Sequence, residues 1–188
     1  MALTRMSIDG YGQLEINNCA FRRDGRIEAQ CAADTASFTT GKKVENGMLL
    51  SVDNVKRVVS FPTDSALPVA LVYTAEHQYD ERKQALKDFA LDPTDDFYPR
   101  LGYLSVGDKY TTNCISYDSA TDTAWTTQSA FQSALASYAT TPLYAGVASD
   151  GTHKISAAQP TVGPVMKVIK YTTMPDGQPA VKLQVYSC

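Results

Sequence analysis

The stretch VMKVIKYTTMPDGQPAVKLQVY, residues 165–186, decides the fold class. Its second half alternates strictly between apolar and polar side chains, which is typical of a strand with one buried face. Residues 165–171 form an earlier strand-like run, and Asp176-Gly177 lies between the two as a strong turn signal. The sequence therefore predicts a C-terminal β-hairpin in which Lys182 and Gln184 face water.

Shorter β signals precede this hairpin. Residues 48–52, 55–61 and 69–73 are strand-like, and 101–117 read as a second hairpin that turns at Gly107-Asp108. Two segments favour helices instead. Residues 80–90 are rich in helix formers. In residues 128–138, apolar side chains recur at helical spacing behind a capping Thr126 or Thr127.

These elements predict a mainly β protein, either a β-barrel or a β-sandwich, with one or two short helices and an extended N-terminal segment. Residues 1–45 are the least regular, with glycines and exposed-looking turns that break any period. We therefore expect a loop-rich N-terminal arm over 1–45 and a β-rich domain over 46–188.

Charge and hydropathy exclude two classes of partner at this stage. The 188 residues carry a formal charge of −3, so no general excess of cations is present to neutralise a nucleic-acid backbone. Apolar runs are far shorter than the roughly 20 residues of a membrane helix. The first residues lack the apolar segment of an export signal, so we expect synthesis in the cytoplasm.

Residues able to carry chemistry are few and scattered. The four cysteines lack zinc-ligand spacing, and without an export signal we expect free thiols, with Cys188 the most exposed. His77 and His153 lie beside no nucleophile motif, and no phosphate-binding loop or calcium loop is present. We expect no catalytic, cofactor-binding or metal-binding residues, and hence no enzyme.

One basic cluster has the composition of a partner surface. Arg22 and Arg23 follow Phe21, with Arg26 close behind, and arginines and aromatics are enriched in protein interfaces. The alternative interpretation of the same residues is a solvated turn.

The β phrases resemble those of a known class of proteins. Residues 142–155 (PLYAGVASDGTHKI) lead into 162–169 (VGPVMKVI), and 46–52 (NGMLLSV) with 69–73 (VALVY) give an earlier version. Residues 97–108 (FYPRLGYLSVGD) complete the set. Together they resemble small β-barrel decoration or cement proteins, and related fibre bases, of tailed-bacteriophage heads.

The resemblance implies a virion structural protein, made in the host cytoplasm, that binds the outer capsid surface. It implies contacts with the major capsid protein and with further copies of itself as a homotrimer, but none with nucleic acid or membrane. The partner-interface residues that we predict are Tyr11, Phe21, Arg22, Arg23, Tyr98 and Arg100.

Two other functions remain open from the residues alone. Tyrosine-rich strands are typical of a receptor- or glycan-binding module of a phage fibre or tail, because aromatic rings stack on sugars. A hydrolase built on His77 and His153 with nearby carboxylates is the third alternative.

Overall fold

The computed structural model describes residues 3–39, 41–74, 90–94 and 98–188. It is 39% strand and 8% helix, with two helices and several sheets in the described ranges. The predicted mainly β fold is confirmed. The sheets do not close into a barrel, and the architecture is consistent with the β-sandwich alternative.

Sixteen strands and two helices follow one another along these ranges. In chain order they are β1 Leu3–Arg5, β2 Leu14–Asn18, α1 Ala20–Asp24, β3 Ile27–Glu28, β4 Ala32–Ala33, β5 Val44–Glu45, β6 Leu49–Asp53, β7 Val58–Ser60, β8 Val69–Val72, β9 Ala90–Leu91, β10 Leu101–Gly102, β11 Lys109–Thr112, β12 Ile115–Asp118, α2 Gln128–Ala136, β13 Tyr144–Val147, β14 His153–Ser156, β15 Val165–Thr173 and β16 Pro179–Ser187.

Two large sheets and one small ribbon organise these strands. The eight-stranded sheet has the order β1-β12-β14-β13-β15-β16-β11-β2, and only its β12–β14 pair is parallel. The six-stranded sheet has the order β3-β10-β8-β6-β7-β4, and β5 pairs with β9. Antiparallel sheets can bury one face and leave the other wet, and the larger sheet does so across its centre.

The predicted C-terminal hairpin is confirmed, and it is the longest strand pairing among the described residues. The backbone N–H of Met174 donates to the carbonyl of Gln178 at 2.8 Å, and Gly177 adopts a positive φ of 88° in the turn. Beyond the turn, the core-facing side chains of β16 are completely or almost completely buried, whereas Lys182 and Gln184 are half-buried. The pairing shifts register between Val168 and Lys170, which a two-residue pattern does not reveal.

The hairpin predicted over residues 101–117 is wrong. β10 pairs with β3 and β8, whereas β11 pairs with β16 and β2, so the two strands belong to different sheets. Residues 103–106 form no strand. The Asp108 side chain accepts the backbone N–H of Ser105 at 2.9 Å, which closes a tight turn instead of continuing a ladder.

The predicted N-terminal segment carries short strands that pair with later parts of the chain. β1 lies against β12, β2 against β11, and β3 against β10. Met6 and Phe38 are almost completely buried in the two apolar clusters of the core. Within the described part of residues 1–45, these short strands are therefore integrated into the two large sheets.

The remaining local predictions have mixed outcomes. Strands β6 and β8 confirm the strands predicted over 48–52 and 69–73, whereas only residues 58–60 of the run predicted over 55–61 form a strand, β7. Helix α2 begins where its cap predicts, with the Thr127 hydroxyl accepting the N–H of Ala130. The helix predicted over 80–90 lies outside the described residues, except for Ala90, which begins β9. All four cysteines are free, and only Cys188 is exposed, as expected.

Leu183→Ala and Gln184→Ala test the two faces of β16. Leu183 is completely buried, so its truncation leaves a cavity and lowers the free energy of unfolding by about 2–4 kcal/mol. Gln184, one residue along, changes stability by less than about 0.5 kcal/mol. Urea unfolding measures both, and equal losses would contradict the assignment of faces.

Candidate partner surface

The six predicted interface residues do not form one surface. Arg22 and Arg23 are exposed on α1, as a partner surface requires. Tyr11 and Tyr98 are 38% and 48% exposed. Arg100 is half-buried, and its backbone N–H donates to the Thr74 hydroxyl.

Phe21 is a core residue, and its assignment to a partner surface is corrected. It is 0% exposed, its ring centroid lies 4.8 Å from that of Tyr73, and Gly102 packs directly on the ring. A Cβ at Gly102 would lie 2.3 Å from the ring, so the site admits no larger residue without movement. Phe21 therefore anchors α1 to the core while the arginines face outward.

Tyr11 is separated from α1 by the whole of β2. That strand has five residues, a length of roughly 17 Å. Tyr11 lies instead beside Lys43, whose ammonium is 5.6 Å from the ring centroid. Tyr98 and Arg100 precede β10, which pairs with β3 just after Arg26.

Asp108 fixes the position of α1 on the larger sheet. Its buried carboxylate accepts the N–H of Ala20 at 2.7 Å and that of Ser105 at 2.9 Å. Its backbone carbonyl accepts the N–H of Val185 at 2.9 Å. One residue thus joins the start of α1, the 105–108 turn and the end of β16.

These three segments present a cluster of exposed side chains that we call the arginine patch. Val106 is 68% exposed and Tyr186 is 60% exposed, so both side chains are open to a partner. Arg26 donates from Nη2 to the Ser105 hydroxyl and so links α1 to the turn. The patch consists of Arg22, Arg23, Arg26, Val106 and Tyr186.

The arginine patch has the chemistry of a protein interface. Arginine and tyrosine dominate binding energy at such surfaces, and rigid presentation lowers the entropy lost on docking. The Arg23 guanidinium donates to the Asn18 side chain at 3.0 Å and is paired with Asp24 at 3.7 Å, which restrains it. The arginines are predictable from the sequence, whereas no local pattern indicates that Val106 and Tyr186 join them.

His153, a candidate catalytic residue, is buried in the core. Its Nε2 lies 2.8 Å from the Tyr110 hydroxyl and its Nδ1 lies 3.1 Å from the carbonyl of Cys114. The carbonyl can only accept, so Nδ1 carries the proton and Nε2 accepts from Tyr110. Burial lowers the pKa of His153 to about 4 and raises that of Cys114 to about 12, so both are neutral at pH 7. The other histidine, His77, lies outside the described residues.

Two clefts lie outside the arginine patch. A cleft of about 360 Å³ lies between the 121–125 loop and α2, and Asp122, Trp125 and Ser137 contribute to its lining. Arg5 and Glu45 form a largely buried ion pair beside a second cleft. Within the described ranges, no three histidine, cysteine or carboxylate side chains come together as a metal site.

No family model, curated protein or solved structure matches the chain. No helix in the part of the chain that the structure describes is long and apolar enough to cross a membrane.

Asp108→Ala tests the attachment of α1. The substitution leaves the N–H groups of Ala20 and Ser105 without an acceptor, and we expect a loss of about 2 kcal/mol in the free energy of unfolding. Hydrogen exchange then accelerates in residues 20–24 and 105–108. Asp24→Ala, on the exposed side of the same helix, is the matched control, and an equal effect there would refute the role of Asp108.

The buried, neutral imidazole of His153 should make the free energy of unfolding fall as the pH is lowered. The folded-state pKa, about 4, lies below the ordinary value of 6.5, so the unfolded chain binds the proton first as the pH falls. Its contribution is complete above pH 6.5 and is lost between pH 6.5 and 4, by about 3 kcal/mol.

Urea unfolding of the wild type and of His153→Gln at pH 7 and pH 4.5 measures this contribution. The wild type should lose more stability than the variant on acidification. Identical losses would show that His153 does not titrate as its burial requires.

Proposed function

We propose that this protein is a virion structural protein that binds the outer surface of a capsid shell and stabilises it as a decoration or cement protein. The observation that carries the proposal is the arginine patch, an exposed set of interface-type side chains on segments that Asp108 joins. The resemblance of the β phrases to phage head proteins supports the same function. The partner is the major capsid protein, and self-association as a homotrimer belongs to the proposal.

The size of the molecule suits a bridging role. A standard interface covers about 800 Å² of each partner, less than a tenth of the 9333 Å² of accessible surface. One copy can therefore contact two or three neighbouring subunits at once. Modest contacts then suffice, because an array of subunits multiplies their effect.

The protein acts on the virion surface after synthesis in the host cytoplasm, without catalysis and without contact with nucleic acid or membrane. A net charge of −3 suits a protein that does not touch the packaged genome.

A glycan-binding module of a fibre or tail is the second candidate. The cleft beside Trp125 favours it, since an indole ring, a carboxylate and several hydroxyls are groups that bind sugars. Trp125 is only 6% exposed, however, and its ring packs on Phe131 with centroids 5.4 Å apart. The arginine patch is far more accessible, so the structural role is preferred.

Arg22→Glu/Arg23→Glu tests the proposed function on purified particles of the virus that encodes the chain. Reversing two exposed charges of the patch should weaken binding to particles stripped of the protein by about ten-fold or more. Lys42→Glu/Lys56→Glu, with the same change in net charge at two other exposed lysines, should bind as the wild type does.

Particles saturated with wild type should also open at a higher temperature than stripped particles. Absence of the protein from virions, or equal heat resistance with and without it, would refute the proposal. Binding of the chain to a glycan array at millimolar sugar, abolished by Trp125→Ala, would favour the second candidate instead.

A further inference from the structure

The outward face of the larger sheet carries lysines in two adjacent cross-strand rows. In the first row, Lys109 on β11 pairs with Gln184 on β16, which pairs with Lys167 on β15. In the second row, Lys182 on β16 lies directly opposite Lys170 on β15. We call Lys109, Lys167, Lys170 and Lys182 the lysine face.

These lysines are close enough to repel one another. Neighbouring strands are about 4.8 Å apart, and successive residues on one face are about 7 Å apart along a strand. The Cα atom of every lysine in the face therefore lies within roughly 10 Å of the Cα atoms of two others. This distance is about the screening length at 0.1 M salt. Like charges directly opposite each other, as at Lys170 and Lys182, destabilise a sheet.

No ion pair in the described part of the chain neutralises the lysine face. The pairs found there join Arg5 to Glu45, Arg23 to Asp24, Lys56 to Asp53 and Lys154 to Asp118. Glu15, on β2 opposite Thr111, lies within the same roughly 10 Å of Lys109 and Lys182, so it offsets one of the four positive charges and leaves the face with a net excess of three. Lys170 is exposed and the other three lysines are half-buried, so all four reach solvent.

The lysine face continues into the arginine patch. Asn18, which accepts from Arg23, pairs with Lys109 across β2 and β11. Seven cations and three carboxylates lie on the segments that form these two surfaces, and one of the carboxylates, Asp108, is buried. The segments are 14–26, 105–112, 165–173 and 179–187. The chain has 17 cations and 20 carboxylates in all, so the remainder holds ten cations and seventeen carboxylates.

We propose that the lysine face docks on an acidic protein surface. Lysines presented on a sheet match an array of carboxylates, and Tyr144 and Tyr186 at its borders supply aromatic contact. Nucleic acid is disfavoured because the acidic remainder of the chain repels a continuous phosphate backbone. The inference rests on the proposed function only for the identity of the partner, since the acidic surface would belong to the capsid shell. The binding test does not require the shell.

The test uses the full chain and fluorescent poly-L-glutamate as the probe. In fluorescence anisotropy at 50 mM NaCl, the wild type should bind, and added salt should weaken the binding. Lys167→Gln/Lys182→Gln should weaken it about five-fold or more. Lys42→Gln/Lys56→Gln, which removes the same charge elsewhere, should stay within about two-fold of the wild type.

Thermal unfolding shows whether the lysine variants are folded, so that weaker binding is not mistaken for misfolding. Removing the repulsion between Lys170 and Lys182 should raise the Tm of Lys167→Gln/Lys182→Gln by about 1–4 °C at low salt. Lys109→Gln/Lys170→Gln provides a second pair on the same face. A lower Tm in both pairs would show that the lysines stabilise the sheet and would overturn the inference.

Three other outcomes overturn it. They are absence of binding to poly-L-glutamate at 50 mM NaCl, equal weakening by the control pair, and tighter binding of a DNA duplex or of phosphatidylserine vesicles than of poly-L-glutamate. If poly-L-glutamate binding depends on the lysine face while stripped particles do not bind the chain, the acidic partner stands and the capsid function fails. If stripped particles bind both lysine variants as tightly as the wild type, the capsid function stands and the acidic partner of the lysine face fails.

Discussion

The pairing of β16 with β15 on one side and β11 on the other is the interaction on which the rest of the structure depends. Its strict alternation directs Val181, Leu183 and Val185 into the core and leaves Lys182 and Gln184 outside. A slip of one residue would exchange the two sets, burying Lys182 and Gln184 and exposing the apolar face. Core and charged surface are therefore consequences of one register.

A single carboxylate extends this arrangement to the surface around α1. Asp108 is bonded to β16 through its backbone and to α1 through its side chain, so the arginines of the helix keep a fixed position relative to the sheet. Arginines and lysines thus form one continuous basic side on a chain that is acidic as a whole. Such a polarity favours one orientation on an acidic partner, and a single orientation is what a protein that binds a regular lattice requires.

The sequence predicted the parts of the fold that local patterns encode. The hairpin of β15 and β16, the buried strands β6 and β8 and the cap of α2 at Thr127 all follow from alternation, turn residues and helical spacing. The assignment of Phe21 to the partner surface was wrong because a five-residue helix is too short to show a periodic apolar face. The sequence around an aromatic residue beside two arginines therefore does not distinguish an interface residue from a core residue. The lysine face was missed because its members belong to three strands. Lys170 and Lys182 meet only through a register shift that no spacing in the sequence records.

Acetylation of lysines, quantified by mass spectrometry for the free protein and for the protein bound to its particle, identifies the side of the molecule that is covered. We expect Lys109, Lys167, Lys170 and Lys182 to become protected on the particle, while Lys42 and Lys56 react equally in both states. Equal labelling of all six lysines, or protection confined to Lys42 and Lys56, would show that the protein does not bind through the outward side of β11, β16 and β15.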